Sequence, residues 1–335
     1  MHRTFCLIRT SNKRFDDTHL VARGIELILA PVTLSGLKNT RVFFISILFT
    51  IVLVTACVSD SNNPIISSEQ KSGGPEYSGV IITTDMAVGE TKILFGVINR
   101  DGMPVPGLTS EIAAYFLVPE EDKRELKDST IATFTSWPTT DGGIFSAELE
   151  LDIPGFYEID INYISNDNAP IFAQASFTLK SNASTPALGS TAPASVTHKA
   201  SDVEDISHIT SSTDPDLDLY ELSIHEALEQ NKPLVVVFAT PAFCASATCG
   251  PQVGELTKVK QRVGDQANYI HVEVYENPHL IEGQRPTGGL ISAVDEWGLP
   301  TEPWTFIVDS HGLVQVKFEQ FTTADEIEAK LLEFL

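Results

Sequence analysis

Residues 233–251 read PLVVVFATPAFCASATCGP, and this stretch decides the fold of the C-terminal third of the chain. Its first half is a continuous apolar run, typical of a strand that is buried on both faces of a sheet. Its second half ends in Cys249-Gly250-Pro251, and proline is favoured in the first turn of a helix. The stretch therefore predicts a central strand, a loop that carries Cys244, and a helix that begins near Gly250.

Helix and strand signals alternate on both sides of this stretch. Ser223 with Glu226 three residues later forms a capping-box pattern, and Thr323 with Glu326 repeats it near the C-terminus. The predicted elements are helices over 224–230, 250–263, 289–297 and 324–335, and strands over 233–239, 269–275, 304–308 and 313–318. The resulting order, α-β-α-β-α-β-β-α, indicates an α/β domain over 219–335.

Residues 78–180 carry a different pattern, with apolar residues at every second position. Residues 144–153 read IFSAELELDI, which places Phe145, Ala147, Leu149, Leu151 and Ile153 on one face of a strand. About seven such strands are separated by turn signals, and no helix pattern occurs among them. This favours an all-β immunoglobulin-like sandwich that serves as a spacer or docking module.

Two segments show no element pattern. Residues 181–218 are rich in Ser, Thr, Ala and Pro, and then become polar and acidic, which predicts a disordered acidic linker. Residues 1–36 fit no domain, and we expect them to be an extension produced by a mis-assigned start. A chain of 335 residues is therefore expected to hold two folded domains.

Residues 42–56 read VFFISILFTIVLVTA, an apolar run without charge that follows Lys38 and Arg41. This run and the following Cys57 resemble the signal and lipobox of bacterial lipoproteins, while an uncleaved anchor helix is the alternative. The resemblance implies a signal peptide over 37–56, acylation of Cys57 and a polar tether over 57–77. The protein would then be anchored in the cell envelope, on the extracytoplasmic face of the membrane.

The charge balance limits the partners. The chain has 22 basic and 45 acidic residues, for a formal net charge of −23. Nucleic acids and anionic membrane surfaces are recognised by Lys and Arg, so neither is expected as a partner.

The element order and three segments of the C-terminal domain resemble the thioredoxin fold. The segments are 238–251 (FATPAFCASATCGP), 302–309 (EPWTFIVD) and the last helix. The whole chain is also similar to uncharacterised exported proteins with a thioredoxin-like C-terminal domain, through AVGETKILFG at 87–96 and WGLPTEPW at 297–304. The resemblance implies thiol–disulfide exchange with exported proteins and a redox partner, and no resident cofactor or metal.

The resemblance also implies roles for individual residues. Cys249, at the start of a helix, would be the nucleophile and Cys244 its resolving and disulfide partner, although the reverse assignment stays open. A cis Pro303 would lie over the pair. The residues expected to contact the client chain are Glu302, Trp304, Gly250 and Pro251.

Two features depart from the thioredoxin pattern. The cysteines are spaced Cys-x4-Cys instead of Cys-x-x-Cys, because Gln252 occupies the usual second position. The strand over 233–239 carries no acid, so the buried proton acceptor of thioredoxins is missing there.

In the predicted strand over 269–275, Glu273 falls on the same face as His271, which predicts a polar, hydrated face.

Three alternatives remain open at the level of sequence. In the first alternative, Cys244 and Cys249 form a structural disulfide in a non-catalytic binding module. Pro241, Ser246 and Cys249 resemble the proline, hydroxyl and reactive cysteine of peroxiredoxins. Two thiolates and a histidine would bind copper, as in Sco-type chaperones. The candidate histidines are His225, His271, His279 and His311.

Overall fold

The computed structural model describes residues 75–137, 142–244, 246–283 and 289–335. They belong to one compact unit, Lys71–Leu335. The predictions made for residues 1–74, including the acylation of Cys57, lie outside the described residues. No helix within the described ranges is long and apolar enough to cross a membrane.

Seven antiparallel strands form one sheet in the first half of this unit. They are β1 (Tyr77–Ile81), β2 (Gly89–Asn99), β3 (Thr109–Leu117), β4 (Arg124–Ser136), β5 (Gly143–Leu151), β6 (Gly155–Ile164) and β7 (Pro170–Leu179). Their order is β1-β2-β5-β4-β3-β6-β7. Edge strands β1 and β7 lie so close that a Cβ added to Gly79 would be 2.8 Å from that of Ala175. The sheet is therefore nearly closed, and the prediction of an all-β domain is confirmed.

Every second side chain of this sheet fills its interior. In β5 and β7 the buried and exposed positions alternate along most of the strand, as the period-two pattern predicts. Aromatic rings occupy the centre, where Phe145 packs against Phe95 and Tyr163 at centroid distances of 5.3 and 5.0 Å.

The second half of the unit contains a four-stranded mixed sheet with helices on both faces. Its strands are β8 (Leu234–Phe238), β9 (Asn268–Val272), β10 (Trp304–Val308) and β11 (Val314–Glu319). Their order is β11-β10-β8-β9; β9 runs parallel to β8, whereas β10 pairs antiparallel with both β8 and β11. The helices are α1 (Ile224–Glu229), α2 (Cys249–Val263), α3 (Ser292–Glu296) and α4 (Ala324–Leu331).

The central strand β8 is buried on both faces, as its apolar run predicts. Val235 and Val237 belong to the apolar cluster that α2 and α4 complete. Leu234, Val236 and Phe238 point to the opposite cluster, which α1 and α3 complete. The two predicted caps are also present: Ser223 makes a capping box with Glu226, and the Thr323 hydroxyl accepts from the Glu326 N–H.

Residues 181–218 differ from the predicted disordered linker, because they are folded onto the C-terminal sheet. Backbone hydrogen bonds join Gly189 to Val314 and Ala192 to Gly312, and His225 donates to the Ser195 carbonyl. Small hydroxyl-bearing residues of this segment are buried. The composition was misleading because these residues are held by hydrogen bonds to a neighbouring sheet, and do not need a core of their own.

Two buried carboxylates connect the β-rich half to the C-terminal half. Asp85, between β1 and β2, accepts hydrogen bonds from the backbone N–H groups of Ser184 and Thr185 at 2.7 and 2.9 Å. Glu319, at the end of β11, accepts from the backbone N–H of Thr84 at 2.9 Å and from the hydroxyl of Thr301 at 2.9 Å. The second carboxylate therefore joins the β-rich half to the loop that precedes β10.

We predict that Asp85→Ala lowers the free energy of unfolding by about 2 kcal/mol at pH 7. Burial raises the pKa of Asp85, but hydrogen bonds from Ser184, Thr185 and Lys180 outweigh it and lower the pKa from 3.8 to about 2. The stabilisation is present above pH 3.8 and is lost as the pH falls towards 2. Urea unfolding measures the change. The exposed Asp122→Ala is the control, and an equal effect of both substitutions would contradict the role of Asp85.

Candidate functional site

The two cysteines lie where β8 leads into α2. Cys249 is the first residue of α2, and it forms a disulfide with Cys244 in the preceding loop. The two Cα atoms are 5.9 Å apart, within the range that a disulfide requires. The predicted pairing is thus confirmed. Because α2 begins at Cys249, one sulfur belongs to the residue that opens the positive end of the helix dipole.

The two cysteines differ in access to solvent. Cys249 is completely buried, whereas Cys244 is partly exposed. The Cys244 sulfur lies 3.2 Å from the hydroxyl oxygen of Ser246, which is 2.7 Å from that of Thr248. An incoming thiolate would therefore meet Cys244 first, which favours the reverse of the roles expected for the two cysteines.

The loop before β10 lies beside the disulfide. The peptide bond between Glu302 and Pro303 is cis, as the resemblance implies. Gly250 and Pro251 are half-buried in the first turn of α2. Trp304 was expected to contact the client chain, but this residue is only 2% exposed. Its ring stacks on that of Phe306 with 5.7 Å between the ring centroids. It forms part of the core because it opens β10, every residue of which is buried.

The Glu302 side chain extends from this loop to the disulfide. One of its carboxyl oxygens and the sulfurs of Cys244 and Cys249 all lie within 4.8 Å of one another. Its Oε2 atom is shielded from solvent and has no hydrogen-bond partner among the described residues. Burial, followed by the negative charge of Glu273, raises the pKa of Glu302 from 4.5 to about 8. A backbone hydrogen bond from Thr240 opposes this shift.

Glu273 is a second buried carboxyl group, directly after β9. Its Oε2 accepts the backbone N–H of Ser211 at 2.8 Å, and its Oε1 accepts the hydroxyl of Thr240. Burial raises the pKa of Glu273 from 4.5 to about 7, and hydrogen bonds from Ser211 and from the backbone of Val274 and Tyr275 act against the shift. Thr240 thus lies between the two carboxyl groups, since its hydroxyl contacts one and its backbone the other.

Sequence reasoning placed Glu302 near the cysteines but missed Glu273 as its buried neighbour. The strand face that carries His271 and Glu273 was expected to be hydrated, but these residues are only 2% and 4% exposed. Glu273 is covered by Ser211, whose backbone N–H donates to its carboxyl group; Ser211 belongs to the segment that was expected to be disordered. No local pattern signals such a contact, because Ser211 and Glu273 are 62 positions apart. The proline after Glu302 was the one available sign that this acid lies near the cysteines.

His271 has a structural environment. Its Nδ1 lies 2.6 Å from the hydroxyl of Tyr220, and its Nε2 lies 3.0 Å from the carbonyl oxygen of Ala239. Burial lowers the pKa of His271 to about 4, so the ring is neutral at physiological pH. Both ring nitrogens are engaged in hydrogen bonds, which leaves no lone pair for a metal.

The other candidate histidines of the copper alternative have contacts elsewhere, whereas Ser246 of the peroxidase alternative lies beside the Cys244 sulfur. His225 is near Glu229, His279 stacks on His208, and His311 lies in the turn between β10 and β11. Within the described ranges, the metal-capable cluster that contains both cysteines is completed by Glu302 and by no histidine. A peroxidase would also need an arginine near the sulfur; in the part of the chain that the structure describes, Arg262 of α2 is paired with Asp325 and Glu328.

Comparisons with known proteins add little to this site. No family model matches the chain, and no curated protein matches it. Among solved structures, the superoxide reductase (neelaredoxin) of Ignicoccus hospitalis and two of its variants are 14% identical to the chain. The match covers 31% of this chain and 78–80% of theirs, with a TM-score of 0.20. A similarity at this level carries no functional argument.

We predict that Glu302→Gln, in the oxidised protein with EDTA, raises the free energy of unfolding at pH 8 by more than about 1 kcal/mol. The folded chain keeps the Glu302 proton to about pH 8, whereas the unfolded chain releases it near 4.5. Stability contributed by this group therefore falls as the pH rises from 4.5 to 8. The glutamine removes that fall, so urea unfolding from pH 4.5 to 8 should show a flatter profile.

Glu276 provides the matched control, because it lies on the chain just after Glu273 but is exposed. Glu276→Gln should leave the pH profile of the parent unchanged. A parent profile that Glu302→Gln does not alter would contradict the assignment of a proton to Glu302.

Proposed function

We propose that residues 219–335 form a thioredoxin-like domain that carries out thiol–disulfide exchange with exported proteins through Cys244 and Cys249. The observation that carries the proposal is the disulfide at the first residue of α2, with the cis Pro303 loop and the Glu302 carboxyl beside it. The disulfide supplies an accessible sulfur at Cys244 and a leaving group at the start of α2, and Glu302 supplies a proton donor.

The topology supports the thioredoxin-like assignment. The parallel β8–β9 pair, with α2 between its strands in sequence, is followed by the antiparallel strands β10 and β11 and the last helix. Helices α2 and α4 pack on one face of this sheet and α1 and α3 on the other. The cysteine loop after β8 and the cis peptide bond before Pro303 also support the proposal.

The exchange would begin at the partly exposed sulfur. A client thiolate attacks Cys244, a new sulfur–sulfur bond forms, and the bond between Cys244 and Cys249 breaks. The electron pair of that bond leaves with the Cys249 sulfur as a thiolate. The start of α2 favours this negative charge, because unpaired N–H groups and the helix dipole meet there. Cys249 is therefore suited to leave in this direction and to attack the mixed disulfide in the reverse direction.

Glu302 would transfer a proton to and from the Cys249 sulfur in the two directions of exchange. At neutral pH its carboxyl holds a proton, because burial and the neighbouring Glu273 raise its pKa. It donates this proton to the departing Cys249 thiolate, and the resulting carboxylate takes it back when Cys249 attacks. Glu302 thus supplies from the loop before β10 the acid that is missing from β8.

The β-rich half is proposed to be an immunoglobulin-like spacer. Its order divides into β1-β2-β5-β4 and β3-β6-β7, the grouping of the two immunoglobulin sheets, here joined by pairing of β3 with β4. The hydroxyl of Tyr157, at the start of β6, donates to the carbonyl of Ile153 at 2.8 Å, as in the tyrosine corner of such domains. A lipid on Cys57 would hold the protein to the envelope membrane, and the net charge of −23 disfavours nucleic acid.

A structural disulfide in a non-catalytic binding module is the second candidate. The complete burial of Cys249 favours it, because a buried sulfur is protected from exchange.

The reduction potential of the Cys244–Cys249 disulfide separates the two functions. A structural pair is reduced only below about −300 mV, whereas an exchanging pair has a higher reduction potential. Equilibration with dithiothreitol buffers, read out by thiol alkylation and mass, measures it. The pair should lie above about −300 mV.

We predict that single serine substitutions separate the roles of the cysteines. In a full-length background in which Cys6 and Cys57 are serine, Cys249→Ser leaves the accessible Cys244 free. This variant should form a persistent mixed disulfide with a disulfide-containing peptide, because the sulfur that would resolve it is absent. Cys244→Ser should react at least about tenfold more slowly, because Cys249 is buried.

The measurement is the rate of the mass increase of the intact protein. Equal rates for the two variants would contradict the assignment of roles. A mixed disulfide in neither variant would contradict exchange itself and support the structural disulfide.

A further inference from the structure

Three potential metal ligands converge where α2 begins. The sulfur of Cys244 comes from the loop, that of Cys249 from the helix start, and a carboxyl oxygen of Glu302 from the loop before β10. The three ligand atoms lie within 4.8 Å of one another. The Cys-x4-Cys spacing also falls within the range found for pairs of cysteine ligands in zinc sites.

The Glu302 carboxyl group provides an independent observation. Its Oε2 atom is shielded from solvent and lacks a hydrogen-bond partner among the described residues. A buried polar atom without a partner is costly, and native proteins usually satisfy such atoms. Exchange chemistry uses the proton on this carboxyl group but leaves the unpaired oxygen unexplained. A cation bound between this group and the two sulfurs would satisfy it.

We propose that the reduced form of the protein binds one Zn²⁺ ion through Cys244, Cys249 and Glu302. Zinc accepts both thiolate and carboxylate ligands in a tetrahedral arrangement. Three protein ligands leave its fourth position open to water or to an exogenous ligand. Copper(I) fits this set less well, because it selects soft sulfur ligands and has little preference for a carboxylate.

The surroundings favour a dication at this place. The backbone of Thr240 hydrogen bonds the Glu302 carboxyl group and so helps to orient it. Glu273 lies near enough for its charge to act on Glu302, and it is itself held by Thr240 and Ser211. A second carboxyl group behind the ligand adds negative potential and offsets the charge of the metal.

Zinc binding and the disulfide exclude each other. Reduction of the Cys244–Cys249 bond takes two electrons from an added phosphine and two protons from water, whose oxygen passes to the phosphine to give the phosphine oxide. The metal then binds the two sulfurs and Glu302 as their protons pass to solvent. Reoxidation of the pair by an added disulfide, which is itself reduced to two thiols, removes both thiolate ligands and releases the metal. The inference requires that the pair can be reduced, as does the proposed exchange, but it does not require a client.

The test is a titration of the full-length protein with zinc chloride. Cys6 and Cys57 are replaced by serine, so that Cys244 and Cys249 supply the thiols. After anaerobic reduction with a phosphine, a chromogenic chelator competes for the metal. We expect one Zn²⁺ per reduced chain and none per oxidised chain. Co²⁺ should give a thiolate-to-metal charge-transfer band, which reports that sulfur is bound.

The variants assign the ligands. Glu302→Gln keeps the shape of the side chain but removes its charge, and it should weaken zinc binding at least about tenfold. Glu276→Gln, at an exposed carboxylate, should have no effect. Circular dichroism checks that each variant is folded. Absence of stoichiometric zinc, or unchanged affinity in Glu302→Gln, would overturn the proposal.

A parallel assay separates this inference from the proposed function. Exchange with the disulfide-containing peptide is followed in EDTA, where no zinc is present. Exchange without zinc binding rejects the metal site alone, and zinc binding without exchange rejects the exchange function alone. A pair that the phosphine cannot reduce, although the unfolded chain is reduced, would reject both.

Discussion

The site depends on keeping a carboxyl group beside two sulfur atoms and out of water. Glu302 reaches the disulfide from a different part of the chain, and its peptide bond to Pro303, directly before β10, is cis. A carboxyl group in that position is stable in its protonated form, since burial and Glu273 both disfavour a negative charge. In the oxidised site, the disulfide and the protonated Glu302 therefore carry no charge. The reduced site, with thiolates beside carboxyl groups, needs protons or a cation.

The parts of the chain that do not supply sulfur make this environment. The segment over 181–218 covers the site, because the backbone N–H of Ser211 donates to Glu273 and the Ser211 hydroxyl accepts from the backbone N–H of Ala242 in the cysteine loop. The β-rich half acts from the other side, where Glu319 binds both Thr84 and Thr301. Thr301 directly precedes Glu302. The acid that contacts the disulfide is thus adjacent to a residue held at the junction between the two halves.

The sequence predicted the features that depend on local patterns. The apolar run of β8, the cap at Ser223 and the start of α2 within a residue of Gly250 follow from residues that are neighbours in the chain. The pairing of Cys244 with Cys249 was also accessible, since a loop of this length can bring the two Cα atoms together. The placement of Pro303 came from the resemblance alone.

What the sequence did not predict depends on contacts between distant segments. Residues 181–218 have the composition of a linker, and only distant parts of the chain give them partners: backbone hydrogen bonds reach Val314 and Gly312, and hydroxyl groups of Thr185 and Ser195 donate to Asp85 and Glu296. Glu273 looked hydrated because strand alternation gives the face of a residue but not what covers that face. The same limit applies to Glu302. Its type and position suggest a loop carboxylate, and its chemistry follows only once β8, β9 and β10 bring Thr240, Glu273 and the two cysteines around it.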